Sequence, residues 1–272
     1  MSDATAYPSA LVWSAPHLVA APSNAPSAFT LARVDVPPSL HADTGSWLPA
    51  LVSDGRLHAN EAALVQSMPP TRRATFVAGR LAMRTAMREA LGSANTAHAP
   101  DDAHAPILRT DRGAPVLPPA VAGSVSHKHD AALALVLPRR ATPPGKITHV
   151  GVDLEHRPVA RDITRPSIAR RILTVPELDA LSMLNADPLA QRERVILSFA
   201  IKEAVYKAID PTVQRYIRFT EVALRFGDDG TVSVTLLLPE LANGDMVVHA
   251  QYSLEDRWIV ATAVATTGPG VI

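Results

Sequence analysis

Apolar residues mark two segments of this chain most sharply. Ile147, Val150, Val152 and Leu154 lead through Gly151-Val152-Asp153-Leu154-Glu155 with the pattern of a buried strand. Side chains alternate across a strand, so Asp153 and Glu155 point to the same side. Further on, apolar residues at 195, 196, 199, 200, 204, 205, 208 and 209 recur at helical spacing and predict a mostly buried helix over about 189–209. Glu203 and Lys207, at i and i+4, share one face of it. Elsewhere the pattern predicts a strand at 29–36, helices at 60–67 and 70–91, and a loop over 92–106. A turn at Asp111-Arg112-Gly113 separates extended pieces within 107–117, and a strand pair falls within 121–136. The Pro-, Arg- and Gly-containing stretch 138–146 is the natural internal boundary. Beyond it come helices at 166–173 and 176–184, and strand-like runs at 219–226, 231–237, 246–253 and 258–265. Each half mixes strands with helices and ends in strands, which predicts an α+β fold and not a doubly wound parallel sheet. Residues 1–28, rich in Ala, Pro and Ser, read as an irregular tail before halves spanning 29–146 and 147–272.

Composition narrows the function classes. At 272 residues, with 47% apolar and 19% charged, the chain suits one large or two small globular domains. Lys plus Arg equals Asp plus Glu at 26 each, so there is no global electrostatic case for nucleic acid or an anionic membrane. The absence of cysteine excludes disulfides and thiolate catalysis and fits a reducing compartment, so the cytoplasm is expected. Pro8, Pro16, Pro22 and Pro26 interrupt the N-terminal apolar pieces, which lack a basic leader; neither a signal peptide nor a membrane span is predicted.

Asp153, Glu155 and Glu203, converging from a strand and a helix, offer the oxygen ligands that a hard cation such as Mg2+ takes beside substrate phosphate. Lys207, one turn beyond Glu203, can meet the same phosphate. Taken singly, the Asp-x-Glu pair also fits a solvated or capping pair, and Glu203–Lys207 an ordinary surface ion pair. Their apolar surroundings favour the phosphoryl-transfer reading, because unpaired charge is costly there. In the 70–91 helix, Arg73, Arg80, Arg84 and Arg88 fall on one narrow stripe flanked by Phe76, Val77, Met83 and Met87. The stripe is either a solvated face or a partly buried row needing an anion, for which a phosphate is suited. Ser126-His127-Lys128 offers hydroxyl, imidazole and ammonium in one turn.

These residues carry a resemblance. Phe76-Val77-Ala78-Gly79-Arg80, Arg112-Gly113-Ala114-Pro115-Val116-Leu117-Pro118, Gly123-Ser124-Val125-Ser126-His127, the 151–155 block, Arg170-Arg171-Ile172-Leu173 with Glu177, and Ser198-Phe199-Ala200-Ile201-Lys202-Glu203-Ala204-Val205-Tyr206-Lys207 occur in a fixed order over residues 60–225. The chain resembles 4'-phosphopantetheinyl transferases of the larger, monomeric type that serve siderophore and other nonribosomal peptide synthetases. The resemblance implies transfer of phosphopantetheine from coenzyme A to a serine of an acyl- or peptidyl-carrier protein, releasing adenosine 3',5'-bisphosphate. It implies two similar α+β halves about a pseudo-twofold axis with coenzyme A in the cleft between them. It carries the Mg2+ ligands to Asp153, Glu155 and Glu203, with Glu203 as general base, and the pyrophosphate lysine to Lys207. Arg73, Arg80, Arg112, Ser126 and His127 become candidate nucleotide contacts, and Lys202 a further phosphate contact. Leu117 replaces a usual tryptophan, Lys128 adds a charge beside the nucleotide, and Ile201 replaces a smaller residue. The rival reading is a coenzyme A-binding or regulatory protein on this scaffold without transfer activity.

Overall fold

The computed structural model describes residues 14–92 and 105–268, apart from 24, 44, 165–166, 185–186, 228 and 242–245. The first half opens with β1 (His17–Val19) and β2 (Thr30–Asp35). Short helices α1 (Pro38–Ala42), α2 (Leu48–Ser53) and α3 (Ala59–Gln66) lead into the long α4 (Pro70–Leu91). After the 107–117 hairpin, β3 (Val121–Lys128) and β4 (Ala131–Pro138) complete an antiparallel sheet of order β1-β2-β4-β3. The central strand β4 is buried at every position, as an apolar run between two neighbours and under a helix requires.

The second half begins with β5 (Ile147–His156), then α5 (Ala169–Ile172), α6 (Val175–Met183) and α7 (Pro188–Val213). The hairpin β6 (Val222–Phe226) and β7 (Val232–Leu236) follows, then β8 (Met246–Leu254) and β9 (Trp258–Thr267). The last two strands join β5 in an antiparallel sheet of order β5-β9-β8. Both sheets therefore carry the same connection order: strand, long helix, then a hairpin whose second strand is central. Among the described residues there are four apolar clusters, three of which involve the two sheets. Val77, Ala78, Leu81 and Met83 of α4 pack on Val34, Ala134 and Val136. Ala200, Ile201, Ala204 and Ile209 of α7 pack on Ile259, Ala261 and Ala263. Leu31, Leu133 and Leu135 meet Val152, Leu154 and Val260 in the cluster that joins the two sheets.

Three expectations change. The stretch read as an irregular tail contributes β1, which pairs with β2 through His17↔Arg33 to Val19↔Leu31; three residues are too few to show periodicity. The 166–173 helix is a single turn at Ala169–Ile172. The helix expected over 189–209 runs past Pro211 to Val213, because a proline in the last turn forfeits one hydrogen bond where the helix is ending anyway. Asp187 caps its start, accepting from the amides of Leu189 at 2.8 Å and Ala190 at 3.1 Å, and Gln214 closes it in the left-handed region at φ 53°.

Candidate active site

Gly151 sets the position of the site. A Cβ there would lie 1.9 Å from the Ala204 carbonyl oxygen and 2.8 Å from the Ala208 nitrogen, so β5 and α7 touch backbone to backbone. This contact brings Asp153 and Lys207 together. The Lys207 ammonium donates to Asp153 Oδ1 and to the Val152 carbonyl, each at 2.8 Å. On the other side, β3 supplies Ser126, whose hydroxyl donates to Asp153 Oδ1 at 2.7 Å. Ser124 Oγ accepts from the Val152 amide at 3.1 Å. Asp153 thus stands buried between the two halves, and its Oδ2 has no hydrogen-bond partner.

Glu155 pairs with Lys128 of β3. Burial pushes the Glu155 carboxyl up to about 7, with the Asp153 charge adding to the rise and Lys128 opposing it. Glu203 is raised too, first by burial, with Asp153 again adding to the rise and Lys207 lowering it. The sequence placed Lys128 beside the nucleotide; the structure gives its charge to Glu155.

The three carboxylates do not form a preformed cage: among the described residues no three histidine, cysteine or carboxylate side chains are gathered as a cation site. Lys207 and Lys128 instead hold the places of positive charge at Asp153 and Glu155. The donor set still fits a hard divalent cation. Every donor is a carboxylate oxygen, Asp153 Oδ2 is buried without a partner, and two neighbouring carboxyls are held above their usual range by burial and the charge of Asp153.

Next to Ser126 on β3, His127 alternates to the same side as Val125, which faces Gly79 of α4. Its imidazole is solvent-accessible yet crowded by protein. That desolvation, with the charges of Lys207, Arg72, Lys128 and Arg80, pushes it down to about 4, so it is neutral near pH 7 and sits in a ring of cations. Arg80 is buried, with its guanidinium 4.1 Å from the Phe76 ring centroid. Its Nη2 donates to the Leu108 carbonyl at 3.3 Å and its Nε has no partner. Burial lowers its pKa to about 10, with Glu61 opposing and Arg84 and Arg109 contributing.

The other predicted contacts are committed elsewhere. Lys202 is buried, donating to Glu177 Oε2 at 2.7 Å and the Ile172 carbonyl at 2.8 Å, so it pins α7 to α5 and α6. Glu177 also accepts from the amides of Thr174 and Leu224, which makes this pair a junction of the second half. Arg73 donates to the Gln66 and Met68 carbonyls at the end of α3, each at 3.0 Å. Arg84 finds its anion in Glu61 at 2.7 Å, and Arg88 is exposed, so the predicted arginine stripe separates into four different environments. Arg112 forms a bidentate pair with Asp210. Sequence reasoning did not single out Arg72, Glu61, Tyr206 or Asp210. Arg72 was signalled only by adjacency to Arg73, Tyr206 only by its place in the 198–207 block, and Glu61 and Asp210 by nothing local.

Between the halves lies a cavity of about 690 Å³. The 110–117 hairpin, the start of β3, and Glu203, Tyr206, Lys207 and Asp210 of α7 wall it. Leu117, where the resembling proteins carry tryptophan, is part of the lining. Of the predicted site residues, Arg112, Glu203 and Lys207 line this cavity; Arg73, Arg80, Ser126, His127, Asp153, Glu155 and Lys202 are not in its wall.

Comparison with known proteins speaks to the family of the chain. Residues 60–137 match the family described as 4'-phosphopantetheinyl transferase N-terminal domain, and residues 149–263 match the 4'-phosphopantetheinyl transferase superfamily. The chain is 26% identical over 222 residues to 4'-phosphopantetheinyl transferase Npt of Nocardia iowensis, covering 79% of this chain and 89% of that protein. Among solved structures it is similar to a Chronobacterium ammoniagenes ACPS–CoA complex, with 21% identity over 44% of this chain and 98% of that one, at a TM-score of 0.36. It is also similar to holo-ACP-synthase from Plasmodium yoelii, with 20% identity over 45% of this chain and 98% of that one, at a TM-score of 0.37.

Proposed function

Given that the chain belongs to the 4'-phosphopantetheinyl transferase superfamily and is an enzyme of that kind, we propose that it moves phosphopantetheine from coenzyme A to a carrier-protein serine. The observation that carries this reading is the meeting of Asp153, Ser126 and Lys207 at the junction of the halves, beside a cavity that Glu203 and Lys207 line. The serine oxygen forms a bond to the β-phosphorus of coenzyme A, the bond to the bridging pyrophosphate oxygen breaks, and adenosine 3',5'-bisphosphate leaves. The serine proton passes to Glu203, whose raised pKa suits a general base. Lys207 offsets the charge that builds on the leaving phosphate. Asp153, Glu155 and Glu203 would hold Mg2+, which when bound supplies Lewis-acid polarisation of the pyrophosphate and offsets its charge. Arg80, Arg72 and neutral His127 form the surround for the nucleotide's 3'-phosphate.

The repeated connection order supports two halves, 29–146 and 147–272, related by a pseudo-twofold axis with the substrate between them. The carriers would be those of siderophore or other nonribosomal peptide synthetases, and the enzyme would act as a cytoplasmic monomer. Carrier docking falls to the second half, where exposed Arg170 and Arg171 precede exposed Val175 and Met183 in sequence. A basic and apolar patch there complements the acidic face such carriers present. The test is incubation of an apo peptidyl-carrier domain with the enzyme, Mg2+ and coenzyme A. The carrier should gain the mass of one phosphopantetheine. Coenzyme A binding without any mass gain would leave a binding protein only.

A further inference from the structure

The 107–117 hairpin crosses from the first half to the second and is tied at both ends. Internally it is closed by the Thr110 amide to the Ala114 carbonyl at 2.8 Å, the Gly113 amide to the Thr110 carbonyl at 2.9 Å and the Val116 amide to the Leu108 carbonyl at 3.1 Å. Its base is anchored on the first half, where the Ile107 amide donates to buried Glu61 at 2.8 Å and Arg80 donates to the Leu108 carbonyl. Its tip reaches α7. There Arg112 Nε donates to Asp210 Oδ1 at 3.0 Å and Oδ2 at 2.9 Å, and Nη2 donates to Tyr206 Oη at 3.4 Å and the Arg215 carbonyl at 3.3 Å. Tyr206 and Asp210 lie three and seven residues beyond Glu203, on the helix stretch that walls the cavity.

Two consequences follow from this geometry. First, both carboxylate oxygens of Asp210 meet the guanidinium of Arg112, so that charge is already answered and is poorly placed to serve a phosphate. Second, the hairpin is stiff in itself, so it would swing about its base as a unit if its tip were released. We propose that Arg112 and Asp210 form a clasp that holds the hairpin as a fixed wall of the cleft, which makes Asp210 a positioning residue for the ligand inside. This rests on the reading of the cleft as the coenzyme A site. The clasp keeps the wall in its ligand-bound place before the ligand arrives, so that less order has to be gained on binding. Its loss weakens every ligand that uses the wall, whatever phosphates that ligand carries.

The test uses the full chain and four variants: Arg112→Gln, Asp210→Asn, both together, and the reversed pair Arg112→Asp with Asp210→Arg. Calorimetry gives Kd for coenzyme A and for 3'-dephospho-coenzyme A, steady-state kinetics separates KM from kcat, and hydrogen exchange follows the 108–116 amides. Each single variant should weaken both ligands about tenfold, which is the size of one lost ordering contact. KM should move more than kcat, and hairpin exchange should quicken. The double variant should be no worse than either single one, and the reversed pair should recover most of the loss. Loss with Arg112→Gln but not Asp210→Asn, confined to the ligand bearing the 3'-phosphate, would make Arg112 a phosphate ligand and overturn the clasp. Additive losses would overturn it too. If the wild-type chain bound neither ligand, the reading of the cleft would fall while hydrogen exchange still decided the clasp: unchanged hairpin exchange in both single variants would refute it.

Discussion

Replacing Gly151 with alanine tests whether β5 and α7 must touch for the site to exist. The added Cβ would sit 1.9 Å from the Ala204 carbonyl oxygen, 2.8 Å from the Ala208 nitrogen and 2.9 Å from the Ala204 carbonyl carbon. Ordinary contact begins near 3.4 Å, so strand and helix must part by about 1.5 Å. The obstructing atoms are helix backbone, and two of them belong to the donor and acceptor of one helical turn; no side-chain rotation relieves the clash. Overpacking a core typically costs about 1–3 kcal/mol, and a backbone collision belongs at or above the top of that range. A loss of about 3 kcal/mol is a large part of the ~5–15 kcal/mol that holds a domain folded. The same shift draws Lys207 away from Asp153, and a displacement of about 1 Å can cost roughly 100-fold in rate. Urea unfolding followed by circular dichroism reads the first effect, and carrier modification at a temperature where the variant remains folded reads the second. Gly268→Ala serves as control, since its Cβ would meet only the end of the Lys146 side chain at 3.9 Å. A Gly151→Ala protein with wild-type urea midpoint and rate would refute the packing argument.

Further outcomes follow from the same site. Glu203→Gln should lower kcat by about 10²–10⁴-fold with little change in urea midpoint. In the wild type, the rate should fall with acidification at a pH above the ordinary glutamate value of 4.5, because the base protonates at its raised pKa; a rate flat down to pH 4.5 would remove Glu203 from that role. Lys202→Met should cost about 3–5 kcal/mol by stranding Glu177, and Lys202→Met with Glu177→Gln should recover part of it. A Lys202→Met protein of normal stability that no longer bound coenzyme A would return this lysine to the phosphate site. Without divalent cations, Glu155 holds its proton to about 7 in the folded state against 4.5 as the reference value. Its contribution therefore makes stability fall as pH rises from about 4.5 to 7, since the folded form binds the extra proton. His127 acts with the opposite sign, its folded value near 4 lying below the reference of 6.5. Comparing Glu155→Gln with wild type isolates the first term; an unchanged slope of stability against pH would count against it.

The elements that carry the candidate site were legible because their periodicity was strong. The 151–155 strand and the 195–209 helix are buried on nearly every apolar position, and a buried element leaves a clean pattern. Helical geometry also bears on Lys202. Five residues separate it from Lys207, so at 100° per residue the two lie about 140° apart on the helix and meet different neighbours. Glu203 and Lys207 lie only about 40° apart and do share a face. What could not be read were partners supplied by the fold. Arg84 takes Glu61 from another helix, Arg112 takes Asp210 from the other half, and Lys128 takes Glu155 across two strands. Each removes a cation from the pool that local sequence assigned to phosphate, and no local pattern encodes such long-range pairing.

The central claim meets its most direct test in intact-protein mass spectrometry of an apo peptidyl-carrier domain treated with the enzyme, coenzyme A and Mg2+, alongside Asp153→Asn. The wild type should add one phosphopantetheine to the carrier serine and release adenosine 3',5'-bisphosphate in equal amount. Asp153→Asn, folded to the same urea midpoint, should add none in the same time. A carrier unchanged by the wild type, or modified equally fast by Asp153→Asn, would contradict the account.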